Sequence, residues 1–164
     1  VVLQGTGEAG GGGFDLRCSW SGTVLGVGSV AIQGFDMSNI RDSLGERGSA
    51  DGTGLAYTGD TGPSDAVAEL AAGGDIFLAE ATHIDGGEKP FHLTARQAAQ
   101  YASAAGVGCL VLTHVELGVD TAASLAQASE VFHGTNLVAP PGLRIQQATC
   151  ALIDNTPPCQ RYSL

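Results

Sequence analysis

The sequence predicts an α/β fold of the sandwich type, and three observations carry that reading. Short apolar strands alternate with helices from Leu55 onward, each strand is an aliphatic run of about four or five residues, and three successive runs lead into Asp60, Glu80 and His114. Strand–helix alternation is the pattern of parallel βαβ units, in which helices cover a sheet and form layers. In open α/β sheets ligands gather at the carboxyl ends of strands. One ionisable ending would mean little; three in a row predict a site at one sheet edge.

Element by element, Val1–Leu3 reads as a strand, and Gly5-Thr6-Gly7-Glu8-Ala9-Gly10 after it fits GxGxxG. That fingerprint requires a following helix whose N-terminus faces a pyrophosphate. Gly11, Gly12 and Gly13 follow instead, and glycine is the poorest ordinary helix former. The stretch is therefore a loop, and the dinucleotide-cofactor reading is rejected. Val27–Met37 alternates roughly through Val30, Ile32, Phe35 and Met37, as a strand interrupted or bulged at Gly34 would. Residues 38–54 are polar and glycine-punctuated and read as a loop or hairpin.

Leu55–Thr58 is a short strand running into Gly59-Asp60-Thr61-Gly62. Ser64 is placed to cap a helix bearing Val67, Leu70 and Ala71 on one face, stopped by Gly73-Gly74. Ile76–Ala79 is the next buried strand and leads into Glu80-Ala81-Thr82. After a loop from His83 to His92, Thr94 and Gln97 form a T-x-x-Q capping box for a helix with Ala98, Tyr101, Ala102 and Ala105 inward, ended by Gly106. Cys109–Thr113 is the third strand, with His114 at its tip. Asp120 starts a helix carrying Leu125, Ala128, Val131 and Phe132, and Leu137–Ala139 is a last strand. Residues 1–149 thus read as a single partial domain, and residues 150–164, with Pro157-Pro158 and no periodicity, as a disordered tail.

Composition narrows the function. Hydrophobic residues are 43% of the chain and charged ones 15%, a balance that supports a packed core. No apolar run approaches the roughly 18–20 residues of a membrane span, and no basic segment followed by an apolar stretch opens the chain. Seven Lys+Arg against seventeen Asp+Glu give a net charge of −10, with no basic cluster to grip phosphates along a nucleic acid. Extended DNA or RNA is not expected as a partner, whereas a small anion held through a bound cation is compatible. Cys18, Cys109, Cys150 and Cys159 show no CxxC spacing, so a zinc finger is not expected, and thiols in a cytoplasmic protein are the better reading.

Four residues are candidates for chemistry. Asp60 lies between glycines, where a carboxylate can approach metal ions, although most aspartates beside glycine serve turns or caps. His114 leaves a buried strand, a common position for an imidazole ligand; a lone histidine there more often bonds a loop carbonyl. His92 stands just before a helix N-terminus, whose positive end disfavours a charged ring unless a carboxylate opposes it. Glu80 is the candidate carboxylate, and a Glu–His pair could orient the ring as a proton donor; the ordinary alternative is a structural cap. His83 and His133 are given no role.

Taken together, Tyr57-Thr58-Gly59-Asp60-Thr61, Ala79-Glu80-Ala81-Thr82, Phe91-His92-Leu93-Thr94 with Ala95-Arg96-Gln97-Ala98-Ala99, and Ala105-Gly106-Val107-Gly108 through Leu112-Thr113-His114 resemble the second half of a ribonuclease Z-like hydrolase of the metallo-β-lactamase superfamily. The resemblance runs from about Val27 to Ile145 and implies the C-terminal half of an αββα sandwich with a dinuclear, usually zinc, site. It implies Asp60 as bridging carboxylate, His114 as a metal ligand, His92 as proton donor to the leaving oxygen, and Glu80 as its orienting partner. The implied reaction is two-metal phosphodiester hydrolysis of a cyclic nucleotide, another small diester or an RNA 3′ end. The family's H-x-H-x-D-H motif is absent and is expected upstream of Val1. Asn39 stands where a further ligand histidine is expected. With Asp60 and His114 alone a four-ligand zinc site does not close, so this chain by itself is expected to be inactive. The opposing reading is a truncated or degenerate relative acting as an interaction module. Half a sandwich would also expose an apolar sheet face, which predicts association, as a homodimer or as aggregates.

Overall fold

Hairpin geometry builds the first half of the sheet and helix packing the second. The computed structural model describes residues 22, 24–87, 89–143, 145, 146, 151 and 152. The expectations for Val1–Leu3, for the glycine loop, and for Cys18, Cys150 and Cys159 lie outside them. Strands β1 (Val24–Val27), β2 (Val30–Asp36), β3 (Leu44–Ala50) and β4 (Thr53–Tyr57) pair antiparallel in chain order. The β3–β4 turn places Asp51 at φ +51° and Gly52 at φ +79°. Two positive-φ residues at a two-residue turn match the right-handed twist of the flanking strands.

One expectation needs correction here. β2 passes through Gly34 without a bulge, since Gln33, Gly34 and Phe35 pair in unbroken register with Arg47, Glu46 and Gly45. The stretch read as loop or hairpin is in large part a hairpin: residues 44–50 form a full strand that turns at Asp51-Gly52 into β4. Its glycines mark close packing rather than irregularity: a Cβ on Gly45 would lie 2.9 Å from Leu70 Cδ2 and 3.0 Å from Met37 Cε.

From β4 onward the order is parallel: β4, β5 (Ile76–Glu80), β6 (Cys109–Thr113) and β7 (Thr135–Val138) lie side by side. Their crossovers are α1 (Asp65–Ala71), α2 (Ala95–Ala105) and α3 (Thr121–Ser129). The three helices form one layer over Ala56, Phe77, Ala79, Leu110 and Leu112, burying Val67, Leu70, Ala98, Ala102 and Ala128 in one core. On the other face Ile76, Cys109 and Val111 pack beneath Leu143 and Ile145, while Leu55 in the same row is 40% exposed. A short pair, β8 (Ile145–Gln146) with β9 (Ala151–Leu152), enters the stretch read as a tail, most of which is not described. Among the described residues no helix is long and apolar enough to cross a membrane.

Caps decide where the helices begin. Thr94 accepts from Gln97 N at 3.2 Å and Gln97 Oε1 accepts from Thr94 N at 2.9 Å, completing the predicted box, and Gly106 closes α2 at φ +68°. Thr94→Ala should therefore cost about 1 kcal/mol, measurable as a lower denaturation midpoint. Asp120 Oδ1 accepts from Ala122 N at 2.9 Å at the start of α3. Ser64 occupies the N-cap of α1, but its side chain makes no cap bond and its buried Oγ has no partner among the described residues. The Tyr101 hydroxyl holds this end instead, accepting from Ser64 N at 2.9 Å. At the far end Arg47 donates to Glu69 O at 3.0 Å and to Ala72 O, serving as a C-terminal cap from β3.

Candidate functional site

Because β4, β5 and β6 are adjacent and parallel, the segments leaving their carboxyl ends meet at one sheet edge. The loop after β4 is fixed from three sides. Asp60 O accepts from Ser43 Oγ at 2.6 Å and Asn39 Nδ2 at 3.1 Å, Gly62 N donates to Ser38 O at 2.7 Å, and Thr61 N donates to Glu80 Oε1 at 2.8 Å. Gly62 admits no side chain, since a Cβ there would lie 1.9 Å from Pro90 O. The loop carrying Asp60 thus packs backbone to backbone against the loop carrying His92.

Glu80, the last residue of β5, is fully buried, and both carboxylate oxygens are occupied. Oε1 accepts from Thr61 N and lies 2.9 Å from His92 Nδ1; Oε2 accepts from Thr82 N at 3.2 Å and Thr82 Oγ1 at 2.7 Å. Such complete satisfaction is what a buried carboxylate requires. An ionised carboxylate only accepts, so the pair puts the His92 proton on Nδ1 and fixes the ring. The Thr82 hydroxyl also stands 3.3 Å from His92 Nδ1 and 3.2 Å from His114 Nδ1, joining the two rings through one oxygen.

His114 follows β6 with φ +52°, a left-handed conformation that costs a β-carbon-bearing residue roughly 1–2 kcal/mol. In that conformation its Nδ1 lies 3.0 Å from Asp60 Oδ1, and both side chains are about half exposed. Two ligands bound to one zinc ion at about 2.0–2.1 Å with tetrahedral angles sit roughly 3.3 Å apart. As it stands the contact is a hydrogen bond, His114 Nδ1 donating to Asp60 Oδ1, and the two atoms are spaced to serve one metal ion once that proton moves to Nε2. Glu80, His92 and His114 also bring donor atoms within 4.8 Å of one another. That grouping suits a cation less well, because the Glu80 oxygens already carry four hydrogen-bond contacts. The acidic character of the edge registers on Tyr57, whose phenol pKa is raised, first by burial and then by the charges of Asp60, Glu46 and Glu80.

All four sequence candidates, Asp60, Glu80, His92 and His114, therefore meet in one place. Among the described residues the Asp60 side chain makes no turn or cap bond, and it pairs with His114. Asn39 is near enough to hold the Asp60 loop, though through its amide rather than as an imidazole. Sequence reading missed Thr82 and His83. Thr82 was detectable as the second residue after Glu80, which puts both on one side of the extended chain. His83 is 4% exposed; its Nδ1 lies 3.2 Å from Glu116 Oε2, and its ring meets that of His92 edge-on at 5.8 Å between centroids. His133, given no role, is an exposed residue beyond α3.

Residues 20–115 match the family model described as "Beta-lactamase superfamily domain". An uncharacterized protein of Mycobacterium tuberculosis is 40% identical over 124 residues, covering 74% of this chain and 45% of the relative. The Ribonuclease Z of Brevibacillus brevis is 37% identical over 119 residues, covering 66% of this chain and 37% of the relative. Among solved structures, the metallo-beta-lactamase fold protein YhfI from Bacillus subtilis is similar with a TM-score of 0.67 at 21% identity, over 71% of this chain and 49% of that one. The chain spans less than half the length of these curated relatives.

Proposed function

Because the chain belongs to the metallo-β-lactamase superfamily, in its ribonuclease Z-like branch, we propose that it is the C-terminal part of a metal-dependent phosphodiester hydrolase. The observation that carries this reading is the 3.0 Å approach of His114 Nδ1 to Asp60 Oδ1 at the carboxyl edge of the parallel strands. Asp60 and His114 would hold zinc, two ions in the complete protein, together with ligands that this chain does not supply. Bound there, the metal supplies Lewis-acid activation of the phosphate.

The remaining work falls to residues of the chain. Glu80 holds the Nδ1 edge of His92 and stabilises the ring when it carries a second proton. That second proton, at Nε2, is the one His92 would give to the departing oxygen. Thr82, bonded to Glu80 and in reach of both imidazoles, keeps the proton donor and the metal ligand in fixed relation. The net charge of −10 favours a small diester, such as a cyclic nucleotide, over extended RNA, even though one relative is named Ribonuclease Z. Cytoplasmic action and homodimerisation are part of the same proposal.

A second reading, a non-catalytic binding module, draws on Asn39 standing where the resemblance expects a histidine. Hydrolysis of bis(p-nitrophenyl) phosphate by the full-length protein separates the two. The hydrolase reading predicts turnover that a chelator abolishes and zinc restores. Absence of turnover in zinc-loaded protein would leave the binding module.

A further inference from the structure

Two residues past His114 the chain reaches across toward the proton donor. Glu116 N donates to Thr82 O at 3.1 Å, which lays the segment leaving β6 against the segment leaving β5. Next to Thr82, His83 Nδ1 stands 3.2 Å from Glu116 Oε2. An ionised carboxylate only accepts, so the His83 proton sits on Nδ1 and is donated to Glu116. The His83 ring in turn meets the His92 ring edge-on, with centroids 5.8 Å apart and planes at 88°, an arrangement that aromatic rings favour. Its backbone grips the same neighbourhood: His83 N donates to Leu93 O at 3.3 Å, and His83 O accepts from Ala95 N at 3.0 Å, on either side of a bridge to Thr94. Thr82 thus reaches His92 through a hydroxyl, and His83 reaches it through a ring that Glu116 holds.

An imidazole is a poor choice here for packing alone. His83 is 4% exposed, and its buried Nε2 has no hydrogen-bond partner among the described residues. A buried polar atom left unpaired is unfavourable, and a phenyl ring would fill the space without one. Glu116, with a side chain 52% exposed, gains little from a pair that water screens. What the imidazole offers and a phenyl ring lacks is the Nδ1–H that Glu116 takes up. Meanwhile Glu80 and Thr82 both touch the His92 ring at Nδ1, and contacts at a single atom leave a ring free to tilt. We propose that Glu116 and His83 are positioning residues, through which the segment carrying His114 fixes the tilt of the His92 ring. The inference rests on the hydrolase reading for the work that His92 does, and adds two residues that aim it.

The test compares diphenyl phosphate with bis(p-nitrophenyl) phosphate as substrates of the full-length protein. p-Nitrophenolate departs readily without a proton, whereas the more basic phenolate needs one, so the ratio of the two turnover rates reports on the proton donor. Glu116→Ala and His83→Phe should each lower the ratio of diphenyl to p-nitrophenyl turnover about tenfold, with KM little changed. Glu116→Gln, which keeps an acceptor for His83 Nδ1, should keep the ratio. In a His92→Ala background neither change should lower the ratio further, because both act through His92. Circular dichroism of each variant checks that the fold is kept. A second readout needs no turnover: the Nδ1 proton resonance of His92 should broaden in Glu116→Ala and stay sharp in Glu116→Gln. An unchanged ratio, a ratio that falls equally in the His92→Ala background, or a His92 resonance unaltered in Glu116→Ala would overturn the inference. A protein that turns over neither diester sinks the hydrolase reading alone, and the His92 resonance then decides whether the ring is held as proposed.

Discussion

Replacing Glu80 with alanine is expected to cost about 3–5 kcal/mol of folding stability, the range seen when a buried charged pair loses one partner. The cost has identifiable sources. Thr61 N and the Thr82 hydroxyl are buried with their bonds to Glu80, and each donor left unsatisfied costs about 1–3 kcal/mol. The removed side chain is fully buried, so a void adds to the penalty. For a chain of this size the melting temperature should drop by roughly 10 °C or more. Glu80→Gln is expected to recover only part of this. Each carboxylate oxygen faces donors, Thr61 N and His92 Nδ1 on one side and Thr82 N and Oγ1 on the other, so an amide NH2 meets a donor in either orientation. Thermal melts of the two variants beside the parent check this, and an unchanged melting temperature in Glu80→Ala would show that Glu80 does not hold the edge together.

His114→Gly should behave in the opposite way, with stability kept and function lost. The left-handed backbone at φ +52° costs histidine roughly 1–2 kcal/mol and costs glycine almost nothing. What is lost, a half-exposed pair with Asp60 and a contact with Thr82, contributes about 0–1 kcal/mol. The variant is therefore expected to match or exceed the parent in chemical denaturation. If His114 is a metal ligand as proposed, hydrolysis by the full-length protein should fall on the order of 10³-fold, because losing that ligand removes several kcal/mol of charge stabilisation. Strain retained at a functional position has this signature. A destabilised His114→Gly with intact turnover would mean that the left-handed conformation serves folding instead.

Much of this was legible in the chain. The 3.6-residue spacing of Val67, Leu70 and Ala71, the Thr94–Gln97 box and the aliphatic run Cys109–Thr113 each give an element close to its observed bounds, because local chemistry and tertiary packing agree there. β3 was not legible as a strand: Gly45 and Gly48 have low strand preference, and what makes the segment extended is pairing on both sides and the need to pass beneath Leu70. Ser64 looked like a capping residue, yet the phenol of Tyr101, 37 positions away, takes over that end of the helix. The four candidate residues were found because parallel strands bring their own ends together. Thr82 and His83 were overlooked because their importance lies in what they touch, and no local pattern encodes the approach of Glu116 to His83 or of His114 to Thr82.

The hydrolase proposal stands on Asp60 and His114 being donors to the same ion. Its most direct test is a zinc titration of the full-length protein followed by nitrogen NMR of its histidine rings, His114 and His92 among them. The predicted result is a ligation-sized shift at the His114 ring that disappears in Asp60→Ala, while His92 keeps its bond to Glu80 and its resonance position. A ligation shift shared by His92 and His114 and unaffected by Asp60→Ala would place the cation on Glu80, His92 and His114 and contradict the account.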